Sequence, residues 1–171
     1  MEPAHYAATE RLRNGANLLV RALRPGDRNE MLAAVGRLGP QALQRRFFAP
    51  KRGFSEREID FFINVDFTRH VALVAVLDEG KPVIVGGARY IVAQPGQAEV
   101  AFAIDDAHQK LGIATHLLRH LTIIARAMGV KTFVAEVLPE NQPMLKVFER
   151  CGLALKSRRE RGVVHVTLAL S

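Results

Sequence analysis

The stretch Ile104-Asp105-Asp106-Ala107-His108-Gln109-Lys110-Leu111-Gly112-Ile113-Ala114-Thr115 joins the clearest strand of the sequence to its strongest helix. A loop that leads into a helix leaves several backbone N–H groups clustered without intrahelical partners. These donors and the positive end of the helix dipole favour an anion such as a phosphate or pyrophosphate. Gly112 and Ala114 have minimal side chains, so phosphates can approach the backbone. The alternative is an ordinary strand-to-helix loop, because short glycine motifs often match by chance.

The two elements that flank this loop have clear periodicities. Residues 97–105 alternate between two faces, as a half-buried strand does. Large apolar side chains occupy one face: Val100, Phe102 and Ile104. The other face holds Glu99, Ala101 and Ala103. Residues 112–128 have one apolar face at helical spacing and end at Gly129, which is typical of an amphipathic helix.

Outside these elements, the pattern predicts one α+β domain over residues 17–171 with a loose lead-in over residues 1–16. Predicted strands are 17–24, 70–78, 83–93, 132–137, 153–156 and 163–170. Predicted helices are 27–36, 41–48, one that begins at Ser55, and 142–150. The order is β-ααα-βββ-α-β-α-ββ, which indicates a mixed, mostly antiparallel central sheet flanked by helices.

Composition excludes several classes of protein. The 171 residues are 49% hydrophobic and 24% charged, which is enough apolar content for a core without disulfides. The longest aliphatic run, residues 71–77, is too short to cross a bilayer, and the N-terminus does not resemble a signal peptide. A single cysteine, Cys151, rules out an internal disulfide and fits a reducing compartment. We therefore expect a cytoplasmic protein with no membrane partner.

The net charge of +7 makes a polyanion a candidate partner. The sequence does not favour a nucleic acid, because no Lys/Arg block is interleaved with aromatics, Trp is absent and Tyr occurs twice. The charged run 156–161 is interrupted by an acid, and we interpret it as a solvated hairpin tip.

Several motifs, in order along the chain, carry a family resemblance. Residues 109–114 (Gln-Lys-Leu-Gly-Ile-Ala) resemble the Gln/Arg-x-x-Gly-x-Gly/Ala signature of the GNAT superfamily of N-acetyltransferases. Residues 137–145 are similar to the family's strand-to-Asn-to-helix element, and 148–153 to its aromatic-x-x-x-Gly-aromatic ending. Residues 43–48 and 99–102 resemble, more narrowly, the GNAT domain of bacterial Pat-type protein lysine acetyltransferases. The resemblance covers roughly residues 17–170.

This resemblance implies a fold and a cofactor site. Two central strands of such proteins splay apart, the signature loop binds the pyrophosphate of acetyl-CoA, and the pantetheine arm lies in the gap. The implied backbone partners of the acyl and pantetheine groups are Ala103, Ile104 and Asp105. The remaining implied cofactor-binding residues are Gln109, Lys110, Leu111, Gly112, Ile113, Ala114, Thr115, Asn141, Met144 and Phe148. Acetyl-CoA would be a co-substrate, and no metal is expected.

Glu99 is the candidate catalytic base. An acceptor lysine has a pKa near 10.4, so its ammonium must lose a proton before it attacks. Glu99 lies on the small-residue face of the strand, and in the resembling family a Glu on this strand has that role. The alternative is a surface carboxylate at an edge position. Many members also place a Tyr seven residues after the Asn to protonate the CoA thiolate, whereas position 148 here is Phe148.

Two other groups of residues are interpreted as structural. His116 and His120 are four residues apart on the long helix, but no third metal ligand accompanies them, so we expect solvent-facing histidines. Cys151 has no local base and is interpreted as a structural thiol.

The sequence therefore predicts an acetyl-CoA-dependent N-acetyltransferase that transfers acetyl directly to an amine, with a protein lysine as the first candidate acceptor. A small-molecule amine is the close alternative. A catalytically silent acyl-CoA-binding or regulatory module is a different class of alternative, and nucleic-acid binding comes third. The chain is expected to be a monomer or a homodimer.

Overall fold

The computed structural model describes residues 1–36, 55–105, 108 and 111–170. The helix predicted over 41–48 and the motif at 43–48 lie outside the described residues. Eight strands form one sheet: β1 (Ala7–Arg11), β2 (Asn17–Ala22), β3 (His70–Asp78), β4 (Pro82–Gln94), β5 (Gln97–Ile104), β6 (Thr132–Val137), β7 (Ala154–Glu160) and β8 (Val163–Ala169). The described helices are α1 (Arg28–Gly36), α2 (Glu56–Ile63), α3 (Ile113–Ala127) and α4 (Gln142–Glu149).

The strands lie in the order β1-β2-β3-β4-β5-β6-β8-β7. Neighbours pair antiparallel except β5 and β6, which are parallel because α3 connects them as a crossover. The predicted mixed, mostly antiparallel sheet flanked by helices is confirmed. Within the described part of the chain, no helix is both long and apolar enough to cross a membrane.

Helices cover both faces of the central strands, which explains why β3 is buried along nearly its whole length. Alternate β3 residues from Val71 to Leu77 pack with the apolar face of α3 in the main core. The intervening residues Ala72 and Val74 pack on the opposite face with Met31 and Ala34 of α1. The two faces are called the α3 face and the α1 face below.

The predicted alternation of β5 is confirmed. Val100, Phe102 and Ile104 belong to the core of the α3 face. Ala101 and Ala103 line a cavity with Met31, Ala34 and Phe62 of the α1 face, and Glu99 is exposed. Because paired residues of neighbouring strands point to the same side, Arg89, opposite Ala101, also lies on the α1 face.

The expected splay of the central strands is present between β5 and β6. Their ladder has three pairs: Gln97 with Thr132, Ala98 with Phe133, and Glu99 with Val134. β5 continues to Ile104 and β6 to Val137, so the two strands separate immediately after Glu99. We call the resulting opening the split.

One local prediction is wrong and another is incomplete. Residues 1–16 were expected as a loose lead-in, yet β1 pairs with β2 from Ala7–Arg21 to Arg11–Asn17 and extends the sheet. The charged run 156–161 is not only a hairpin tip, because β7 extends to Glu160 and the turn is formed by Arg161 and Gly162. β7 is an edge strand, and charged side chains on an edge strand protect it from pairing with other chains.

Candidate active site

The hydrogen bonds between β5 and β4 determine which main-chain N–H and C=O groups of β5 face the split. The Asp105 N–H donates to the Val85 carbonyl of β4 at 2.8 Å. Hydrogen-bonded and non-hydrogen-bonded pairs alternate along an antiparallel ladder, so the Ala103 main chain is also directed to β4. The main-chain groups of Phe102 and Ile104 are therefore directed toward β6 and the split. Of the three predicted backbone partners, Ile104 directs its main chain toward the split and Ala103 and Asp105 direct theirs toward β4, while Phe102, which was not among the predicted residues, also faces the split.

Gly112 forms the turn into α3. It is the N-cap residue with φ +85°, a left-handed conformation that glycine adopts without strain. The helical ladder begins with the bond from the His116 N–H to the Gly112 carbonyl at 3.2 Å. The N–H groups of Ile113, Ala114 and Thr115 consequently have no carbonyl partner within the helix.

A cleft of about 480 Å³ opens in front of this helix start. Its walls include Gly112 to Thr115, the end of β5, Asn141 and Met144. Three basic side chains also line it: Arg13, Lys146 and Arg150. A Cβ built on Gly112 would meet nothing nearer than Arg13 Nε at 4.0 Å, so the glycine faces open space. Backbone donors, a helix N-terminus and three cations together form a site for a polyanion.

The structure brings together most of the predicted cofactor-binding residues. Gln109 and Lys110 lie outside the described residues, and Leu111 packs against the main core. Asn141 lines the cleft and caps α4, because its Oδ1 accepts the Met144 N–H at 3.4 Å. Arg13, on the β1–β2 loop, had no signal in the sequence because its place depends on the pairing of β1.

Phe148 is buried in the core and does not line the large cleft. It is 1% exposed, and its ring contacts that of Phe102 edge-on at 6.0 Å between centroids. The two rings line a smaller cavity of about 70 Å³ in the split. Glu99, Glu136 and Asn141 also line this cavity. The side chain at position 148 therefore shapes the split and has no proton to donate.

Glu99 occupies the point where the split begins. It forms the last β5–β6 pair, it is exposed on the α1 face, and it lines both the split cavity and a cleft of about 450 Å³ on the sheet surface. A ligand in the large cleft reaches the split from the α3 face, whereas Glu99 meets the split from the α1 face. Two reactants can thus approach one another from opposite faces of the sheet.

A buried histidine orients Arg89 beside the split. Arg89 donates to His70 Nε2 at 2.8 Å and to the Phe62 carbonyl at 3.1 Å. Because an arginine side chain can only donate hydrogen bonds, His70 Nε2 must accept this one. His70 is therefore neutral and carries its proton on Nδ1. Burial and the Arg89 charge lower the pKa of His70 from 6.5 to about 4. Arg89 lines an apolar cavity of about 100 Å³ with Phe62 and Ala101.

The expectation for the α3 histidines is wrong for His120. This side chain is 6% exposed, its Nδ1 lies 2.5 Å from the Tyr6 hydroxyl, and its Nε2 lies 2.8 Å from Glu10. Glu10 also contacts Arg119, and that hydrogen bond holds the pKa of Glu10 below its usual value. His120 therefore joins α3 to β1. No group of three metal-ligating side chains occurs among the described residues.

Cys151 is a free, half-buried thiol that packs against the main core. Its surroundings agree with a structural role.

The sheet split between β5 and β6 has a helix start with basic side chains on one face and a carboxylate on the other, an arrangement suited to a transferase that joins a long anionic donor to a second substrate. A sequence model of the acetyltransferase (GNAT) family matches residues 41–153. The chain belongs to this family, and it is an N-acetyltransferase that acts on an amine.

Similar proteins agree with this assignment. An acetyltransferase of Pseudomonas aeruginosa is 31% identical over 153 residues, which cover 88% of this chain and 81% of that protein. The acetyltransferase Pat of Mycolicibacterium smegmatis is 32% identical over 157 residues, 90% of this chain but 46% of that protein, so the chain spans about half its length. The crystal structure of the GNAT domain of S. lividans PAT superposes with a TM-score of 0.90 at 33% identity, covering 99% of both chains.

Proposed function

We propose that the chain transfers the acetyl group of acetyl-CoA to the side-chain amine of a protein lysine, directly and in a ternary complex. The observation that carries the proposal is that the β5–β6 ladder ends at Glu99, so a carboxylate stands where the split opens to the α1 face. Likeness to the acetyltransferase Pat and to the GNAT domain of PAT favours a protein acceptor.

The cleft of the α3 face fits acetyl-CoA. The N–H groups of Ile113, Ala114 and Thr115 would bind the pyrophosphate, and Gly112 leaves room for it. Arg13, with the other basic side chains of the cleft, would neutralise phosphate charge. The acyl end would then enter the split along the main chain of Phe102 and Ile104.

Glu99 would accept the proton of the incoming lysine ammonium, directly or through water. The free amine attacks the thioester carbonyl, a C–N bond forms, the C–S bond breaks, and coenzyme A leaves as a thiolate. The second proton of the attacking nitrogen is lost as the amide forms and, carried by water, neutralises that thiolate. Main-chain N–H groups of β5 that face the split are suited to bind the developing oxyanion. A thiol of pKa ~8.5 is a tolerable leaving group, so transfer does not require a side-chain acid at Phe148.

The test is Glu99→Gln, which keeps the shape and hydrogen bonding of the side chain but cannot accept a proton. Acetyl-CoA affinity should stay near that of wild type, while kcat at pH 7 falls roughly 10²–10⁴-fold. The loss should shrink as pH rises, because the acceptor then deprotonates in solution. Glu149→Gln, the same change on the exposed side of α4, should leave both parameters unchanged.

Thiol release from acetyl-CoA would be followed with lysine peptides and with small amines. Wild-type kcat at pH 7 in Glu99→Gln would show that Glu99 is not the base. Turnover of small amines without turnover of any peptide would show that the acceptor is not a protein lysine. A cytoplasmic location and a monomeric or homodimeric state remain predictions of the sequence.

A further inference from the structure

The surface cleft of about 450 Å³ beside Glu99 has an ordered arrangement of charge. All its lining residues belong to β5, β6, β7 and β8. Strand register places Glu99 opposite Val134, Val134 opposite Thr167, and Thr167 opposite Lys156. Paired residues point to the same side of a sheet, so these four side chains form one row on the α1 face.

A second row runs beside the first. Glu136 of β6 is opposite His165 of β8, which is opposite Arg158 of β7. The cleft is therefore acidic at the split, with Glu99 and Glu136, and basic at its far edge, with Lys156 and Arg158.

The cations at the far edge differ in their contacts. Arg158 pairs with Glu160 at 3.2 Å, and both side chains are largely exposed. Lys156 has no ion-pair partner among the residues that the structure describes, and it is exposed. Of the acids at the split, Glu136 lies 3.7 Å from His165. Lys156 is thus the cation most available to a ligand that enters the cleft.

The length of the row sets the spacing of the ligand's charges. Glu99 and Lys156 are separated by three strand-to-strand steps of about 4.8 Å, or roughly 14 Å in total. An extended peptide advances about 3.3 Å per residue, so roughly four residues span this distance.

We propose that the acceptor is a lysine with an aspartate or glutamate about four residues away in an extended segment, and that Lys156 binds that carboxylate. The proposal rests on the proposed function and names the sequence around the acceptor lysine. A polyamine of the same length is disfavoured, because it would bring a second ammonium against Lys156.

The experiment compares peptides that differ at one position. Lys-Ala-Ala-Ala-Glu and Glu-Ala-Ala-Ala-Lys cores are matched with the same peptides carrying Gln, and spermine is the polyamine probe. Wild type should favour at least one Glu peptide over its Gln partner by about 3–10-fold in kcat/KM, mainly through KM, because exposed charge pairs are individually weak. Added salt should reduce the preference.

Lys156→Glu should abolish or reverse the preference, since it replaces attraction by repulsion on an exposed edge strand. Lys81→Glu, on the exposed β3–β4 turn, is the matched control and should keep the wild-type preference. Equal kcat/KM for Glu and Gln peptides in wild type, or an unchanged preference in Lys156→Glu, would overturn the inference and leave protein lysine acetylation standing. Turnover of spermine with no turnover of any peptide would overturn both.

Discussion

Two substitutions of Gly112, one neutral and one acidic, can distinguish the effect of added charge at the proposed cofactor site from the backbone strain that any side chain causes there. At φ +85° an ordinary side chain costs about 1–2 kcal/mol, and Asn and Asp tolerate this region better than most residues. Gly112→Asn and Gly112→Asp have nearly equal size, so they should lose similar amounts of unfolding free energy. Without ligand, Asp should be at least as stable as Asn because a carboxylate at a helix N-terminus is favourable.

The two variants should differ strongly once acetyl-CoA is added. A Cβ at position 112 faces open space, so the side chain would extend toward a pyrophosphate held by Ile113 to Thr115. Two unit charges 4 Å apart interact by about 1 kcal/mol in water and about 4 at an effective dielectric constant of 20. This cleft is partly open to water and Arg13 offsets part of the repulsion, so we expect the carboxylate to weaken acetyl-CoA binding by about 2–3 kcal/mol. This corresponds to a Kd roughly 30- to 150-fold weaker for Asp than for Asn.

Calorimetric titration with acetyl-CoA measures this difference, and the ligand-induced rise in Tm gives an independent value. Gly129 supplies the control, because it also has φ +85° with open space around it but lies beyond the C-terminal end of α3. Gly129→Asn and Gly129→Asp should bind acetyl-CoA alike. If Gly112→Asp binds within about threefold of Gly112→Asn, the pyrophosphate does not lie at this helix start.

Two further predictions concern groups away from the phosphate site. The pKa of His70 is lowered from 6.5 to about 4, so stability present above pH 6.5 is lost as pH falls through this window. Urea unfolding should show that the unfolding free energy of His70→Gln falls by up to about 3 kcal/mol less than that of wild type between pH 6.5 and pH 4. The same pH dependence in both proteins would show that His70 is not buried in its neutral form. Cys151→Ala should retain most activity and lose about 1–2 kcal/mol of stability. An acetyl adduct on Cys151 after incubation with acetyl-CoA alone, discharged by amine, would rule out direct transfer.

Elements with strong local periodicity were predicted closely from the sequence. The strands expected at 70–78 and 132–137 have those bounds, and the expected helix 112–128 is α3 (Ile113–Ala127). The faces of β5 also followed from its alternation, which located Glu99 and the small residues correctly. These properties depend on neighbouring residues of one segment, so a single sequence contains them.

The errors arise where one segment depends on a distant one. β1 has no apolar alternation, so its strand character becomes visible only through its pairing with β2. Glu10 of β1 and Tyr6, which directly precedes the strand, are the partners that bury His120, more than 100 positions away. When the pairing of β1 is not known, the position of His120 on the helix predicts a polar, exposed side chain. Arg13 was missed for the same reason.

The direction of the β5 main chain also required the structure. The sequence indicated a strand beside a gap, but the bond from the Asp105 N–H to Val85 decides which carbonyls and amides face it. A shift of one residue would exchange Phe102 and Ile104 for Ala103 and Asp105 and would also turn all their side chains to the opposite faces. The alternation therefore fixes which side chains face the core, whereas the strand that lies on each side of β5 is a property of the whole fold.

The same strand can serve both substrates because its main chain and side chains have different directions. The main chain of Phe102 and Ile104 points along the sheet into the split, where the cofactor's acyl end would lie. Side chains point out of the sheet, and Glu99 is therefore presented to the α1 face, opposite the large cleft. An amine and a thioester arriving from opposite faces meet in the split without an enzyme nucleophile between them. This geometry favours direct transfer over a covalent route through Cys151, whose side chain packs against the core.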